Sequence, residues 1–169
     1  MILMFREMRR VKCKLDNEPA EKILREGSYG VLALTGDEGY NYAVPINYAV
    51  SENKIYFHSA LTGHKLDAIK NNSKVSFCVV DRHDVISEEF TTYFTSAIVF
   101  GKIRLAENDD EKILGLNLLA EKYSPNVDID KRNKEIFGKL NATAVIVLEI
   151  EHLSGKAARE ILRRSTPRN

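Results

Sequence analysis

Tryptophan is absent from the 169-residue chain, and cysteine is limited to Cys13 and Cys78. Two cysteines cannot build a disulfide framework, and no C-x-x-C pair exists to hold zinc. An excess of one charge is also missing. The 25 Lys and Arg against 24 Asp and Glu leave +1, whereas a general nucleic-acid binder carries a basic surplus. No apolar run reaches the roughly 18 residues of a membrane span. The apolar start Met1-Ile2-Leu3-Met4-Phe5 is followed, not preceded, by Arg6, Arg9 and Arg10, the reverse of a secretory signal. Unpaired thiols and the missing signal predict a cytoplasmic protein. Familiar enzyme motifs are lacking too. There is no G-x-S-x-G, G-x-G-x-x-G, P-loop or H-E-x-x-H, and none of His58, His64, His83 and His152 lies four residues from another.

What is present is an ordinary globular composition, 44% hydrophobic and 29% charged. The length predicts a single domain over residues 1–169, long enough to bury a core without disulfide staples. A first helix is expected from a cap at Asp16 or Asn17, Pro19 in its first turn and a stop at Gly27. Strands are expected at 29–35, 40–50 and 54–59, forming an antiparallel meander. Pro45 marks an edge or bulge in the second. A short helix follows at 64–71, then a strand at 74–80, a polar loop at 81–89 and a long strand at 90–104 with a bulge at Gly101. Asn108 and Glu111 form a capping box for a helix ending near Tyr123. A weaker helix at 129–140, a buried strand at 142–151 and a basic helical tail at about 155–164 complete the chain. Six strands with peripheral helices predict an α+β fold built on a small antiparallel barrel.

Three segments carry candidate chemistry. The first runs from His58 and Ser59 through Ala60, Thr62 and Gly63 into a helix that begins His64-Lys65. A helix N-terminus presents free N–H groups and a positive dipole end, so it can hold a phosphate. The same residues also fit an ordinary strand end and a solvated helix start. The second is Val44-Pro45-Ile46-Asn47, where the proline interrupts a ladder and frees backbone groups for a flat polar ring; an edge strand explains it as well. The third, residues 89–96, sets four hydroxyl side chains including Ser96 beside Phe90, Tyr93 and Phe94, and suits either a pocket lining, a subunit seam or a half-buried strand. Both cysteines read as structural, Cys78 in a buried strand.

In order, these segments resemble the 5-nitroimidazole resistance (Nim) family, a branch of the pyridoxamine phosphate oxidase-like flavin proteins. The resemblance runs from Phe5-Arg6-Glu7-Met8-Arg9-Arg10 through Gly39-Tyr40-Asn41-Tyr42-Ala43-Val44-Pro45, Tyr56-Phe57-His58-Ser59-Ala60 and Gly63-His64-Lys65. It continues at Glu89-Phe90-Thr91-Thr92-Tyr93-Phe94, Phe100-Gly101-Lys102, Leu119-Ala120-Glu121-Lys122-Tyr123-Ser124 and Ile150-Glu151-His152-Leu153-Ser154-Gly155-Lys156. It implies an antiparallel six-stranded split β-barrel that dimerises and binds FMN at the subunit interface. Val44, Pro45, Ile46 and Asn47 would then run along the flavin ring. His58, Ser59 and Ala60 would sit by the ribityl chain and phosphate, His64 and Lys65 would bind the phosphate, and Ser96 would contact the flavin. The oxidases proper carry an arginine-lysine pair where this chain has His64-Lys65, and they use C-terminal arginine and tryptophan positions. This chain has no tryptophan and ends in a different pattern, so it is not expected to oxidise pyridoxamine phosphate.

The function so implied is an FMN-dependent reductase of small electrophiles such as nitroaromatics, drawing on an external electron donor. The flavin carries the redox chemistry, and the protein binds and orients it. His64 is the candidate for substrate-side proton chemistry, since imidazole titrates near neutral pH. The competing expectation is a non-catalytic sensor or carrier that binds flavin or haem, histidine being a haem ligand. A nucleic-acid-binding barrel is disfavoured by the charge balance.

Overall fold

The computed structural model describes residues 5–165. The apolar start before Phe5 and the end of the basic tail from Thr166 onward lie outside the described residues. Eight strands form one antiparallel sheet: β1 (Lys14–Leu15), β2 (Gly30–Thr35), β3 (Asn41–Ile46), β4 (Ala49–Ser51), β5 (Lys54–Ser59), β6 (Lys74–Ile86), β7 (Thr91–Leu105) and β8 (Ala144–Ala157). Five helices surround it: α1 (Asn17–Glu26), α2 (His64–Asn71), α3 (Asp109–Tyr123), α4 (Ile129–Lys139) and α5 (Arg159–Ser165).

The spatial order is β3-β2-β6-β7-β8-β5-β4, with β1 added on β8. The two edge strands, β3 and β4, are joined by only Asn47 and Tyr48. Three Cα steps span at most about 11 Å, so the sheet curls until its edges nearly meet, yet no ladder joins them. The barrel is therefore not closed. Eight strands replace the expected six for two reasons: the run at 40–50 breaks into β3 and β4, and Lys14–Leu15 pairs with Gly155 and Lys156. The expected meander is broken at the same corner, because β3 pairs with β2 and β4 with β5.

Two further expectations are corrected. The polar stretch after Val80 is not a loop. Asp81 is an extra residue at a bulge, and the ladder with β7 then resumes from Arg82 to Ile86. Backbone pairing does not depend on side-chain polarity, and both faces of this arm meet solvent. The basic helix begins at Arg159, not near 155, because β8 runs on to Ala157 in register with β7. Gly101 does sit at a bulge, with the additional residue, Glu151, on β8.

The core fills the inside of the curled sheet, with Leu32, Tyr48, Phe57, Phe77, Val99 and Ile146 at 1% exposure or less. Helix α1 contributes Ile23 and Leu24, and α2 contributes Leu66 and Ile69. The outer face divides in two. Helix α3 covers Tyr56, Val145 and Val147 on β5 and β8, with Leu116 and Leu118 packed against them. The outer face of β2, β6 and β7 carries no helix, and there Val31, Cys78 and Ile98 form one cross-strand row. Cys78 is thus half-buried on this open face, while Val75, Phe77 and Val79 on the other side of its strand are buried.

Candidate functional site

Strand β3 is an edge, so the backbone groups along its outer side have no ladder partner. Its burial alternates: Tyr42, Val44 and Ile46 pack against the core, while Asn41, Ala43 and Pro45 are exposed. Proline is tolerated because an edge strand needs only one row of donors.

Helix α2 starts at the same end of the sheet. Its N-cap, Gly63, has φ +132° and ψ 164°, a region open only to glycine. The Gly63 carbonyl accepts from the N–H of Leu66 at 2.9 Å and of Asp67 at 3.2 Å. Gly63 offers no capping side chain, so the N–H groups of His64 and Lys65 have no intrahelical acceptor.

The His64 ring stacks on Tyr42 of β3, with centroids 4.3 Å apart and planes 16° from parallel. Its Nε2 lies 3.5 Å from a carboxylate oxygen of Asp37 in the β2–β3 turn. This contact ties the start of α2, which follows β5, across the unpaired gap to β3. The expected phosphate residues and the expected ring-side strand are thereby brought together. Lys65 is half-buried, and burial holds its ammonium below the ordinary lysine value. Among the described residues no carboxylate pairs with it.

Asn47 and His58 meet elsewhere. His58 projects from the outer face of β5, opposite Val145. Together with Asn47 it lines a cavity of about 480 Å³ whose other wall is Leu116, Leu119, Tyr123 and Ile136 of α3 and α4. Ser59, one residue on, points to the opposite face, as strand alternation requires. Ser96 is not brought to this end of the chain. It lies on β7, opposite Lys156. Two strands separate β7 from β3, a spacing of about 14 Å at some 4.8 Å per strand.

A polar knot missed in the sequence fixes the β3–β4 corner. The Tyr48 N–H donates to the Tyr123 hydroxyl at 2.9 Å, and that hydroxyl lies 2.7 Å from the Ser28 carbonyl and 2.8 Å from the Tyr48 carbonyl. Asn47 Nδ2 donates to the same Ser28 carbonyl at 3.0 Å. The Tyr48 hydroxyl donates to the Leu24 carbonyl at 2.6 Å. Burial, then the neighbouring Tyr123, pushes the Tyr48 phenol well above its ordinary range. Lys122 Nζ donates to the Gly27 carbonyl at 2.7 Å and sits 4.0 Å from the Tyr48 ring centroid. Burial lowers the Lys122 ammonium to about 8. In the sequence, Lys122 and Tyr123 mark the end of α3 and fall in one of the family-like segments, with no partner assigned to either.

The arrangement is an unclosed barrel seam with free backbone on one side and a bare helix N-terminus on the other. Residues 16–157 match the pyridoxamine 5'-phosphate oxidase family. The chain belongs to that family. Several solved structures resemble this pyridoxamine phosphate oxidase-like chain. A candidate 5-nitroimidazole antibiotic resistance protein from Bacteroides thetaiotaomicron is 21% identical with a TM-score of 0.72, over 85% of this chain and 86% of its own. A conserved hypothetical protein from Mycobacterium tuberculosis is 15% identical with a TM-score of 0.77, over 96% of both chains. An FAD- and haem-binding protein from Mycobacterium smegmatis is 22% identical with a TM-score of 0.70, over 90% of this chain and 79% of its own. At these identities the likeness is one of fold. No curated protein sequence matches the chain.

Proposed function

We propose that this member of the pyridoxamine phosphate oxidase family binds FMN between two copies of itself and reduces small electrophiles such as nitroaromatics. The observation that carries the reading is Lys65. A half-buried ammonium without a carboxylate beside it, next to two unbonded helix N–H groups, suits a phosphate dianion. Lys65 Nζ and the N–H groups of His64 and Lys65 would hold that phosphate, and the free edge of Val44, Pro45 and Ile46 would line the ring. Flavin-binding neighbours of the same fold support the cofactor class.

A bound flavin supplies the redox chemistry. The chain's own residues hold and orient what reacts. Asn47 and His58 face the cavity under α3 and α4, where Leu116, Leu119 and Ile136 stand beside the charged Glu135 and Lys139, and which suits a small flat substrate. His64, stacked on Tyr42 with Nε2 close to the Asp37 carboxylate, is the residue we assign to the substrate side. The outer face that no helix covers supports a second copy: Val31, Val80 and Ile98 are 36–55% exposed there, beside Phe100, which the Phe5 ring partly meets.

Purified protein is expected to show flavin absorbance, and Lys65→Ala to lose most of its FMN. Undiminished FMN occupancy in that variant would overturn the phosphate assignment. Anaerobic titration with nitroimidazoles after donor reduction tests the activity. The exposed His58 imidazole, facing this cavity, also fits a haem carrier, and a Soret band in place of flavin bands would favour that reading.

A further inference from the structure

Away from the α3–α4 cavity, the short helical turn Val11–Cys13, the start of β7 and the start of α5 line a cavity of about 580 Å³. Arg9, Arg10, Lys12 and Arg159 line it against one carboxylate, Glu160. That local surplus of three positive charges stands out in a chain whose net charge is +1. Elsewhere on the surface Lys70, Arg82, Lys102, Arg104 and Lys139 all find carboxylates. Among the described residues none of the four cavity cations has an ion-pair partner.

We propose that this cavity binds the pyrophosphate and base of an adenine nucleotide. Two or more guanidinium forks in one concavity match the geometry of a multiply charged phosphate. The wall is not purely cationic: half-buried Phe94 lines it, and Lys156 Nζ lies 5.4 Å from that ring centroid. A flat aromatic group beside phosphate-binding cations suits a nucleotide better than inorganic phosphate. The hydroxyls of Thr91 and Thr92 add donors for ribose or phosphate oxygens.

The cavity also has a place in the chemistry. Phe94 and Ser96 stand on the same face of β7, two residues apart, and Ser96 pairs with Lys156. Under the flavoprotein reading above, on which this step rests, the nucleotide belongs to a redox cofactor or to its reductant. It is then either the adenylate half of FAD itself or the adenine end of a nicotinamide dinucleotide that serves as reductant.

ADP is the probe, titrated calorimetrically at low salt into the protein with whatever flavin it retains. One saturable site per chain is expected. The double variant R10Q/R159Q, which changes two exposed side chains and whose folding is checked by circular dichroism, should weaken ADP at least about tenfold. Phe94→Leu should weaken ADP more than pyrophosphate. Absence of binding at millimolar ADP, unchanged affinity in R10Q/R159Q, or displacement by sulfate as effective as by ADP would each overturn the site. The source is then separated. A fall in FAD affinity with FMN affinity held assigns the site to the flavin, whereas a raised KM for a nicotinamide dinucleotide with kcat held assigns it to the reductant. Loss of ADP binding with neither effect overturns the link to redox chemistry. A protein that binds ADP but no flavin would refute the flavoprotein reading while leaving the nucleotide site standing.

Discussion

Glu111 shows how one side chain can carry several structural duties. Its backbone N–H donates to Asn108 Oδ1 at 2.9 Å, which is the expected cap. Its carboxylate also accepts both arms of Arg104, at 2.7 and 2.9 Å, and the Glu107 N–H at 2.9 Å. The Arg104 hydrogen bonds chiefly hold its acidity at about 2, against an ordinary 4.5. Above pH 4.5 the carboxylate is ionised in both folded and unfolded chains, and its stabilisation is complete. As pH falls towards 2 the unfolded chain takes up the proton first, so that stabilisation is lost. Glu111→Gln is expected to cost about 1–3 kcal/mol at neutral pH, with the difference from the parent shrinking between pH 4.5 and 2 in denaturant titrations. Lys122 works in the opposite sense. With its folded value near 8 and its ordinary value 10.5, the folded chain releases the proton first. Stability linked to Lys122 therefore rises between pH 8 and 10.5, and Lys122→Met should remove that rise. The capping pair was legible in the sequence because its spacing is local. Lys122 and Tyr123 were not, since their partners lie 75 to 95 residues away.

At the scale of elements, ladders override composition. Residues 81–86 look like a loop by polarity, yet β6 continues through them because β7 supplies its hydrogen bonds. The same logic extends β8 beyond Glu151. Its outward residues His152, Ser154 and Lys156 are polar because they face away from the core, while Gly155 and Ala157 pack inward. Gly101 is required by close approach. A Cβ there would lie 2.0 Å from the Glu149 carbonyl oxygen. Gly101→Ala is expected to force β7 and β8 apart and destabilise the fold by about 1–3 kcal/mol, read as a lower midpoint in thermal or denaturant unfolding.

For the whole molecule, the decisive fact is the unclosed seam. It leaves β3 without a neighbour on one side and sets α2 across the gap through the His64–Tyr42 stack. If the proposed second copy exists, the outer face of β2, β6 and β7, which no helix covers, is where it would sit. Ile98 lies in the middle of its cross-strand row between Cys78 and Ser154. Ile98→Asp is expected to shift a dimer to monomer in sedimentation, and to reduce flavin retention with it if two copies share the site. An unchanged dimer in that variant would place the interface elsewhere.

The amino-acid sequence by itself determined the periodic elements: the amphipathic helices, the apolar strands and the turn signals between them. These depend on neighbours within a few residues. Its ordered motifs also pointed to the pyridoxamine phosphate oxidase-like family. Only the tertiary structure decided where the sheet opens, which strand faces stay bare, and which distant side chains share a cavity. Asn47 and His58 meet, whereas Ser96 lies three strands from β3. Such proximity follows from sheet order and curl, which long-range backbone pairing sets.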